Sequence, residues 1–232
     1  RQRFVVTALL CLLTSCLVGC GIPSFLITPI SNTNKLEESV VEDGHGGKIA
    51  IIDLEGLLAN AKAGGFLSPT ENKLSLFVQQ LDRAAKDDDV KAVVLRINSP
   101  GGTVSCTDAM YEILQRFKRK THKPVVASTQ EVTASGGYYV ACAADKIVAQ
   151  PTSVVGSIGV IFFTFDASGT MSKIGLRSEA IKSAKFKDIG SPFRPSTPEE
   201  RAIMQGIVDE YYARFKRAVT AHRPIHDVDT LT

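Results

Sequence analysis

The residue best suited to chemistry is Ser135, within the segment Thr133-Ala-Ser-Gly-Gly-Tyr138. It follows an apolar run, 124–127, that predicts a short strand, and it begins a small-residue stretch, 134–144, that predicts a packed helix. A hydroxyl at a helix N-terminus faces backbone N–H groups that can stabilise an oxyanion, so the position suits a nucleophile. It equally suits a serine that only caps the helix, and the segment alone leaves both interpretations open.

A second glycine pair, in Ser99-Pro-Gly-Gly102, follows a predicted buried strand and precedes a predicted helix. Paired glycines at such a turn let backbone N–H groups face a ligand, either an oxyanion or a phosphate. The segment lacks the Lys-Ser/Thr pair of a phosphate-binding loop. A tight turn without a ligand is the alternative interpretation.

A serine nucleophile needs a base. None of the four histidines lies at a predicted strand–helix junction; they are His45, His122, His222 and His226. The other option is a lysine, and Lys182, Lys185 and Lys187 cluster within residues 181–189. A lysine base must be neutral, which requires burial among apolar neighbours such as Phe186. The alternative is a solvated basic loop.

The elements that would position these residues alternate along the chain. Apolar runs predict strands at 48–54, 90–97, 124–127, 147–149 and 156–161. Helical spacing predicts one helix from Glu71 and a second that is capped by Thr107 or Asp108. The third predicted helix is the small-residue stretch 134–144, and the fourth begins with a capping box at Thr197 and Glu200. The alternation indicates an α/β fold with a largely parallel sheet.

The N-terminus is typical of an export signal. Arg1 and Arg3 precede an uncharged apolar run from Phe4 to Val18, which is short for a membrane span of about 20 residues. The run ends in Leu-Val-Gly-Cys20, which resembles a bacterial lipobox and predicts lipidation of Cys20, with an uncleaved anchor as the alternative. We therefore expect a signal or anchor at 1–20, a linker at 21–47 and a domain at 48–232, tethered to a membrane and facing outward.

Composition excludes several classes of protein. The chain has 232 residues, 44% hydrophobic and 22% charged, which is globular and not disordered. A net charge of +3 gives no indication of nucleic-acid binding. The few cysteines and histidines show no metal-ligand spacing, so no metal is expected. Cys106 and Cys142 are predicted to be buried free thiols, with a disulfide between them as the alternative.

Six segments, in this order, resemble the signal peptide peptidase A family, bacterial membrane-bound serine peptidases with a Ser/Lys dyad. They lie at 95–102, 123–127, 134–141, 144–149, 156–160 and 181–190. Six ordered motifs are far more specific than either glycine turn alone. The resemblance extends from about Lys48 to Phe215, which is most of the domain.

The resemblance implies a role for each candidate residue. Ser135 is the nucleophile and Lys187 the general base, with Lys182 and Lys185 as rival bases. Gly102 and Gly136 lend N–H groups to the oxyanion hole. A further residue, Ser183, supports the dyad by hydrogen bonding to the lysine nitrogen. No cofactor is implied.

The resemblance also implies a Clp protease/crotonase-like fold, with stacked β-turn-β units and flanking helices. Family members form dome-like rings in which the Ser and Lys of one site come from neighbouring subunits. They degrade cleaved signal peptides, through an acyl-enzyme, on the extracytoplasmic side of the bacterial membrane. An apolar groove for such peptides is expected near Ile158, Val160 and Ile161.

This sequence departs from the family pattern at two positions near the base, with Ala184 where Gly is usual and Phe186 where Tyr is usual. Family members also continue beyond Thr232, so the domain is expected to be truncated at its C-terminus. Two rival functions are kept. A crotonase-type acyl-CoA enzyme would share the fold and the glycine turns, and a non-catalytic relative would act as a membrane scaffold.

Overall fold

The computed structural model describes residues 36–61 and 72–222. The chain divides into two units, Arg1–Ser39 and Val40–Thr232, and the fold described below belongs to the second. The predicted signal segment, Cys20 and the C-terminal end lie outside the described residues, and residues 36–47 form neither helix nor strand. In the part of the chain that is described, no helix is both long enough and apolar enough to cross a membrane.

A parallel sheet forms the centre of the domain, as the alternating pattern predicts. Its strands are β1 (Lys48–Glu55), β2 (Val90–Ser99), β3 (Val125–Ala134), β4 (Lys146–Val148) and β5 (Val154–Gly156). The order is β1-β2-β3-β4, and every pairing is parallel. β4 pairs with the first half of β3, whereas β5 pairs with its last residues, 132–134.

The four predicted helices are present in the described residues, together with a short helix over Ser168–Lys173 that the sequence did not predict. They are α1 (Lys73–Lys86), α2 (Val104–Thr121), α3 (Gly136–Ala141), α4 (Ser168–Lys173) and α5 (Pro198–His222). The prediction that Thr107 or Asp108 caps α2 is wrong, because the helix begins at Val104. Thr107 lies within the first turn, where its hydroxyl donates to the Thr103 carbonyl at 3.2 Å.

The core lies on one face of the sheet, between the strands and helices α1 to α3. Its fully buried side chains include Val93, Leu95, Ile97, Met110, Leu114 and Val125. β1 is not the fully buried strand that its apolar run predicts. As an edge strand it buries Ile52 and Leu54 but leaves Ile49 and Ile51 exposed on the other face. Cys106 and Cys142 are buried and free, which confirms that prediction.

Two strand predictions fail around the active-site motifs. β3 is longer than predicted and continues through polar residues to Ala134, because its second half pairs with β2 and β5. The predicted strand at 156–161 is wrong. Gly156 (φ +116°) and Ser157 (φ +53°) are both left-handed, which ends β5 at Gly156.

The chain from 157 to 197, here called the outer segment, contains one short helix, α4, and no strand. Many of its large apolar side chains are exposed: Ile161, Phe162, Phe163, Phe165, Ile174, Leu176, Ile181 and Phe193. A run of exposed apolar residues of this extent is typical of an interface.

α5 begins with the predicted capping box, which is confirmed. The Thr197 hydroxyl accepts from the Glu200 N–H at 3.2 Å, and a Glu200 carboxylate oxygen accepts from the Thr197 N–H at 2.9 Å. The apolar face of α5 is only partly buried. Phe215 is covered by α3, whereas Ile203 and Ile207 near the start of α5 are each 41% exposed.

Ile51 and Ile52 test the one-sided core, because they are neighbours on β1 that face opposite sides of the sheet. Ile52→Ala should cost about 2–5 kcal/mol of unfolding free energy, since Ile52 is 3% exposed and the substitution leaves a cavity. Ile51→Ala, at a side chain 42% exposed, should cost clearly less. Urea denaturation of both variants gives the comparison, and equal losses would contradict a core on one face.

Candidate active site

Ser135 lies at a sharp junction between β3 and α3. Its backbone is left-handed, with φ 49° and ψ −121°, an unusual conformation for a non-glycine residue. Two hydrogen bonds hold it there: its N–H donates to the Gly156 carbonyl at 2.8 Å, and its carbonyl accepts from the Tyr139 N–H at 2.9 Å. Its side chain makes no capping hydrogen bond to α3, which disfavours the interpretation of Ser135 as a mere helix cap.

The first glycine turn packs directly against this junction. A Cβ placed on Gly101 would lie 2.9 Å from the Ser135 Cβ and 2.8 Å from the Gly136 nitrogen. A Cβ placed on Gly136 would lie 3.1 Å from the Gly102 nitrogen. The backbone nitrogens of Gly102 and Gly136 therefore meet beside the serine, at a spacing that only glycine allows.

Within residues 36–61 and 72–222, neither of these two N–H groups donates a hydrogen bond. Gly136 is the first residue of α3, where an N–H has no acceptor within the helix. At the other turn, Leu58 N–H donates to the Gly101 carbonyl at 2.8 Å, and Thr103 N–H donates to the Leu58 carbonyl at 2.9 Å. Neither of these hydrogen bonds involves the Gly102 N–H. Two adjacent free donors are what an oxyanion requires.

Leu58 supports the glycine turn from outside the motif, and sequence reasoning missed it. It is fully buried and bridges to Gly102, where a Cβ would lie 1.8 Å from the Leu58 carbonyl oxygen. The Ser99 hydroxyl holds the same turn by donating to the Gly56 carbonyl at 2.7 Å and accepting from the Gly101 N–H at 3.1 Å. Leu58 follows β1 as an isolated residue, with no repeating pattern to mark it.

Ser135, Gly102 and Gly136 line one cleft, together with residues of α2, α3 and α5. Of the three residues expected to form an apolar groove, only Val160 lines this cleft. Ile158 is buried against Phe215 and its neighbours, and Ile161 is 75% exposed. The cleft is therefore lined both by the glycine backbone beside Ser135 and by apolar side chains such as Val160 and Phe215.

A polar cluster of Asp108, Tyr139 and Arg214 forms one wall of the cleft. Asp108 accepts from the Tyr139 hydroxyl at 2.7 Å and from Arg214 Nε at 2.6 Å. Burial, followed by the hydrogen bond to Asp108, raises the pKa of Tyr139 above its usual range. The cluster ties α2, α3 and α5 together, and no motif in the sequence connects three residues so far apart.

The candidate bases lie apart from the cleft within a single chain. Lys187 is exposed in the turn at 183–190 and does not line the Ser135 cleft. Its side chain forms no hydrogen bond or ion pair with a described residue, Ser183 included. Lys182 instead pairs with Asp188 at 2.5 Å, and Lys185 pairs with Glu199. One chain thus brings together the serine and the two amides, but not the lysine.

No group of three or more histidine, cysteine or acidic side chains within residues 36–61 and 72–222 could hold a metal ion. The chemistry that the cleft can perform rests on a hydroxyl and two backbone donors, which suits acyl transfer.

Two family models match the chain. The model of peptidase family S49 matches residues 117–232, and that of Clp protease matches residues 65–155. Together they cover the β3–α3 junction, both glycine turns and the lysine cluster. The Clp protease match, with the parallel sheet and its flanking helices, confirms the predicted fold class.

Curated relatives extend over most of the chain. A putative protease of Methanocaldococcus jannaschii is 36% identical over 225 residues, which is 96% of this chain and 69% of that protein. A putative signal peptide peptidase SppA of Enterococcus faecium is 31% identical over 82% of this chain and 56% of its own length. Protease 4 of Salmonella typhi is 34% identical over 73% of this chain, but the match spans only 26% of that protein.

Gly136 provides a test of the amide pair. Gly136→Ala places a Cβ 2.5 Å from Thr107 Cγ2, so the Gly136 amide must shift, and kcat for peptide hydrolysis should fall about 100- to 1000-fold. Adding Thr107→Ser removes that methyl group and should restore part of the rate. Gly206→Ala is the control, because a Cβ there meets nothing within 4 Å. Full activity of Gly136→Ala would contradict the role of this amide.

Proposed function

The chain belongs to peptidase family S49 and is a serine peptidase, and from this premise we propose that it hydrolyses peptides with Ser135 as nucleophile and Lys187 as general base. Neutral Lys187 takes the proton from Ser135 Oγ as the oxygen attacks the scissile carbonyl carbon. The N–H groups of Gly102 and Gly136 hold the resulting oxyanion. The proton then passes to the leaving amine, and water hydrolyses the ester of the acyl-enzyme to release the second product.

The observation that carries this proposal is the geometry of Ser135. Ser135 is a strained, left-handed serine at a strand–helix junction, and its hydroxyl and the two neighbouring N–H groups donate no hydrogen bond to a described residue. A nucleophile and an oxyanion hole require this arrangement. A crotonase-type acyl-CoA enzyme would use the two backbone N–H groups as well, but it would not need a serine hydroxyl at position 135.

Lys187 is the preferred general base because the other two candidate lysines form ion pairs. Lys182 and Lys185 each serve as the cation of an ion pair, with Asp188 and Glu199 respectively. Lys187 has no such partner in the described part of one chain, so its amine is available for another surface.

A second subunit would supply the missing half of the site. Two observations support this: Lys187 is exposed outside the cleft, and the outer segment carries many exposed apolar side chains that a monomer would leave in water. We therefore propose a homo-oligomeric ring in which the Lys187 of one subunit serves the Ser135 of its neighbour.

The proposed substrates are cleaved signal peptides. The support is the Enterococcus faecium relative, whose name is putative signal peptide peptidase SppA, together with apolar residues such as Val160 that line the cleft. The proposed site of action is the extracytoplasmic face of the bacterial membrane. There the segment 1–20 would tether the ring to membrane lipid, through lipidated Cys20 or as an uncleaved anchor.

Ser135→Ala should lose on the order of a million-fold in kcat for an apolar signal-type peptide, while its thermal unfolding stays that of the parent. A fluorophosphonate should label the parent at Ser135 and leave the variant unlabelled. Folded globular proteins should be cleaved far more slowly than the free peptide, because their carbonyls are not accessible. Unchanged activity of Ser135→Ala would exclude it as the nucleophile.

Lys187→Ala and Lys187→Arg should both be inactive, because a guanidinium keeps its proton near neutral pH and cannot act as a base. Lys185→Ala is the matched control from the same turn and should keep most of the activity. The opposite pattern, an active Lys187→Arg with an inactive Lys185→Ala, would move the base to Lys185.

Mixed rings test the shared site. Ser135→Ala subunits lack the nucleophile and Lys187→Ala subunits lack the base, so each is inactive alone. If the two groups come from different subunits, mixing restores activity at interfaces that pair an intact serine with an intact lysine. An inactive mixture, with co-assembly verified by two affinity tags, would contradict the shared site without excluding the dyad.

A further inference from the structure

The turn that carries Lys187 is held by an ion-pair network centred on Arg194. Arg194 Nε donates to Asp188 Oδ2 at 2.8 Å, and its two terminal nitrogens donate to the carboxylate oxygens of Glu200 at 2.8 and 2.5 Å. Arg194 therefore joins Asp188, the residue that follows Lys187, to Glu200 in the first turn of α5. We call these three residues the Asp188–Arg194–Glu200 relay.

The inner end of the relay is fixed. Glu200 is only 2% exposed, and it also closes the capping box with Thr197. The hydrogen bonds from Arg194 lower the pKa of Glu200 to about 2, so its carboxylate is charged at any working pH. A buried carboxylate is costly unless it is paired, so Glu200 strongly constrains where Arg194 can lie.

The outer end of the relay reaches the base. Arg194 and Lys182 both bond Asp188, one to each carboxylate oxygen, and they hold its pKa well below the usual range. Lys182 also donates to the Lys185 carbonyl at 3.1 Å, which closes the turn around Lys187. The charged groups around this turn are Lys182, Lys185, Asp188, Arg194, Glu199 and Glu200.

Apolar packing does not order this turn. Residues 183–187 are exposed and residues 188–190 are only half-buried, and Ile181 just before the turn is fully exposed. Isolated surface ion pairs contribute little to order, but a bidentate arginine on a buried carboxylate is a rigid support. The relay is thus the strongest described link between the lysine turn and the rest of the domain.

We propose that Arg194, supported by Glu200, is a positioning residue that fixes the Lys187 turn in the orientation needed for proton transfer. The inference rests on the proposed role of Lys187 as base. A base must come within hydrogen-bond reach of the serine hydroxyl, and a displacement of about 1 Å can cost about 100-fold in rate.

Arg194→Gln is the direct test, on the full chain. We expect kcat to fall about 100-fold with KM nearly unchanged, because the cleft that binds the peptide is intact. The acid limb of the kcat/KM profile should move to higher pH, since losing a cation and leaving Asp188 with one cationic partner instead of two both favour a protonated lysine nearby. Arg194→Lys should restore part of the rate through one remaining ion pair.

Arg96→Gln is the matched control. Arg96 makes a comparable bidentate pair with Asp53 on the open face of the sheet, remote from both halves of the site. It should leave kcat and the pH profile unchanged. Arg194→Gln could instead lower only the melting temperature. If kcat per phosphonate-labelled site and the acid limb of the pH profile both equal those of the parent, the relay has only a structural role and the proposal is overturned.

Mixed rings show which half of the site Arg194 serves. Arg194→Gln mixed with Ser135→Ala should recover activity, because the second subunit brings an intact lysine turn to an intact serine. Arg194→Gln mixed with Lys187→Ala should stay impaired. The reverse pattern would mean that Arg194 acts on the serine cleft, and it would overturn the proposal.

Two outcomes separate this inference from the function on which it rests. If Lys187→Ala is itself fully active, the proposed base is wrong, whatever Arg194 does. If the reference mixture of Ser135→Ala and Lys187→Ala stays inactive, the shared site fails, and the kcat and acid-limb measurements on Arg194→Gln alone then decide the positioning role.

Discussion

The close approach of two backbone turns at Ser135 is the constraint on which the rest of the site depends. Gly101 and Gly102 follow β2, and Gly136 follows β3, and these parallel neighbours end at the same edge of the sheet. Backbone nitrogens can meet there only because no side chain intervenes. Leu58 and Ser99 fix one turn, and β5 fixes the other by accepting the Ser135 N–H at Gly156.

The domain combines two kinds of order. The Ser135 cleft lies on the carboxyl edge of a sheet whose core is closely packed by α1, α2 and α3. The turn that carries Lys187 lies on an outer segment with one short helix and little apolar burial of its own, held to α5 by charged side chains. Hydrophobic burial therefore orders the cleft, whereas directional ion pairs order the Lys187 turn, and the large apolar side chains of the outer segment stay exposed.

Local patterns in the sequence predict much of this arrangement. They do not predict features that depend on which strands or helices lie next to each other in the fold. Apolar runs predict β2 and the parallel sheet, and the glycine pairs predict both turns beside Ser135. The length of β3 and the exposure of Ile51 depend on which strands lie alongside, which no local pattern records. Asp108, Tyr139 and Arg214 meet only through helix packing, and the bond from Arg194 to Asp188 needs the folded turn.

The left-handed backbone of Ser135 also limits which amino acids this junction can accept. Threonine carries the same hydroxyl, but a β-branched residue at φ 49° is a severe steric outlier. Cysteine is unbranched at Cβ and would tolerate the same torsion. Backbone conformation therefore favours serine over threonine at this position, and cysteine, although it replaces the oxygen with sulfur, is the sterically more compatible substitute.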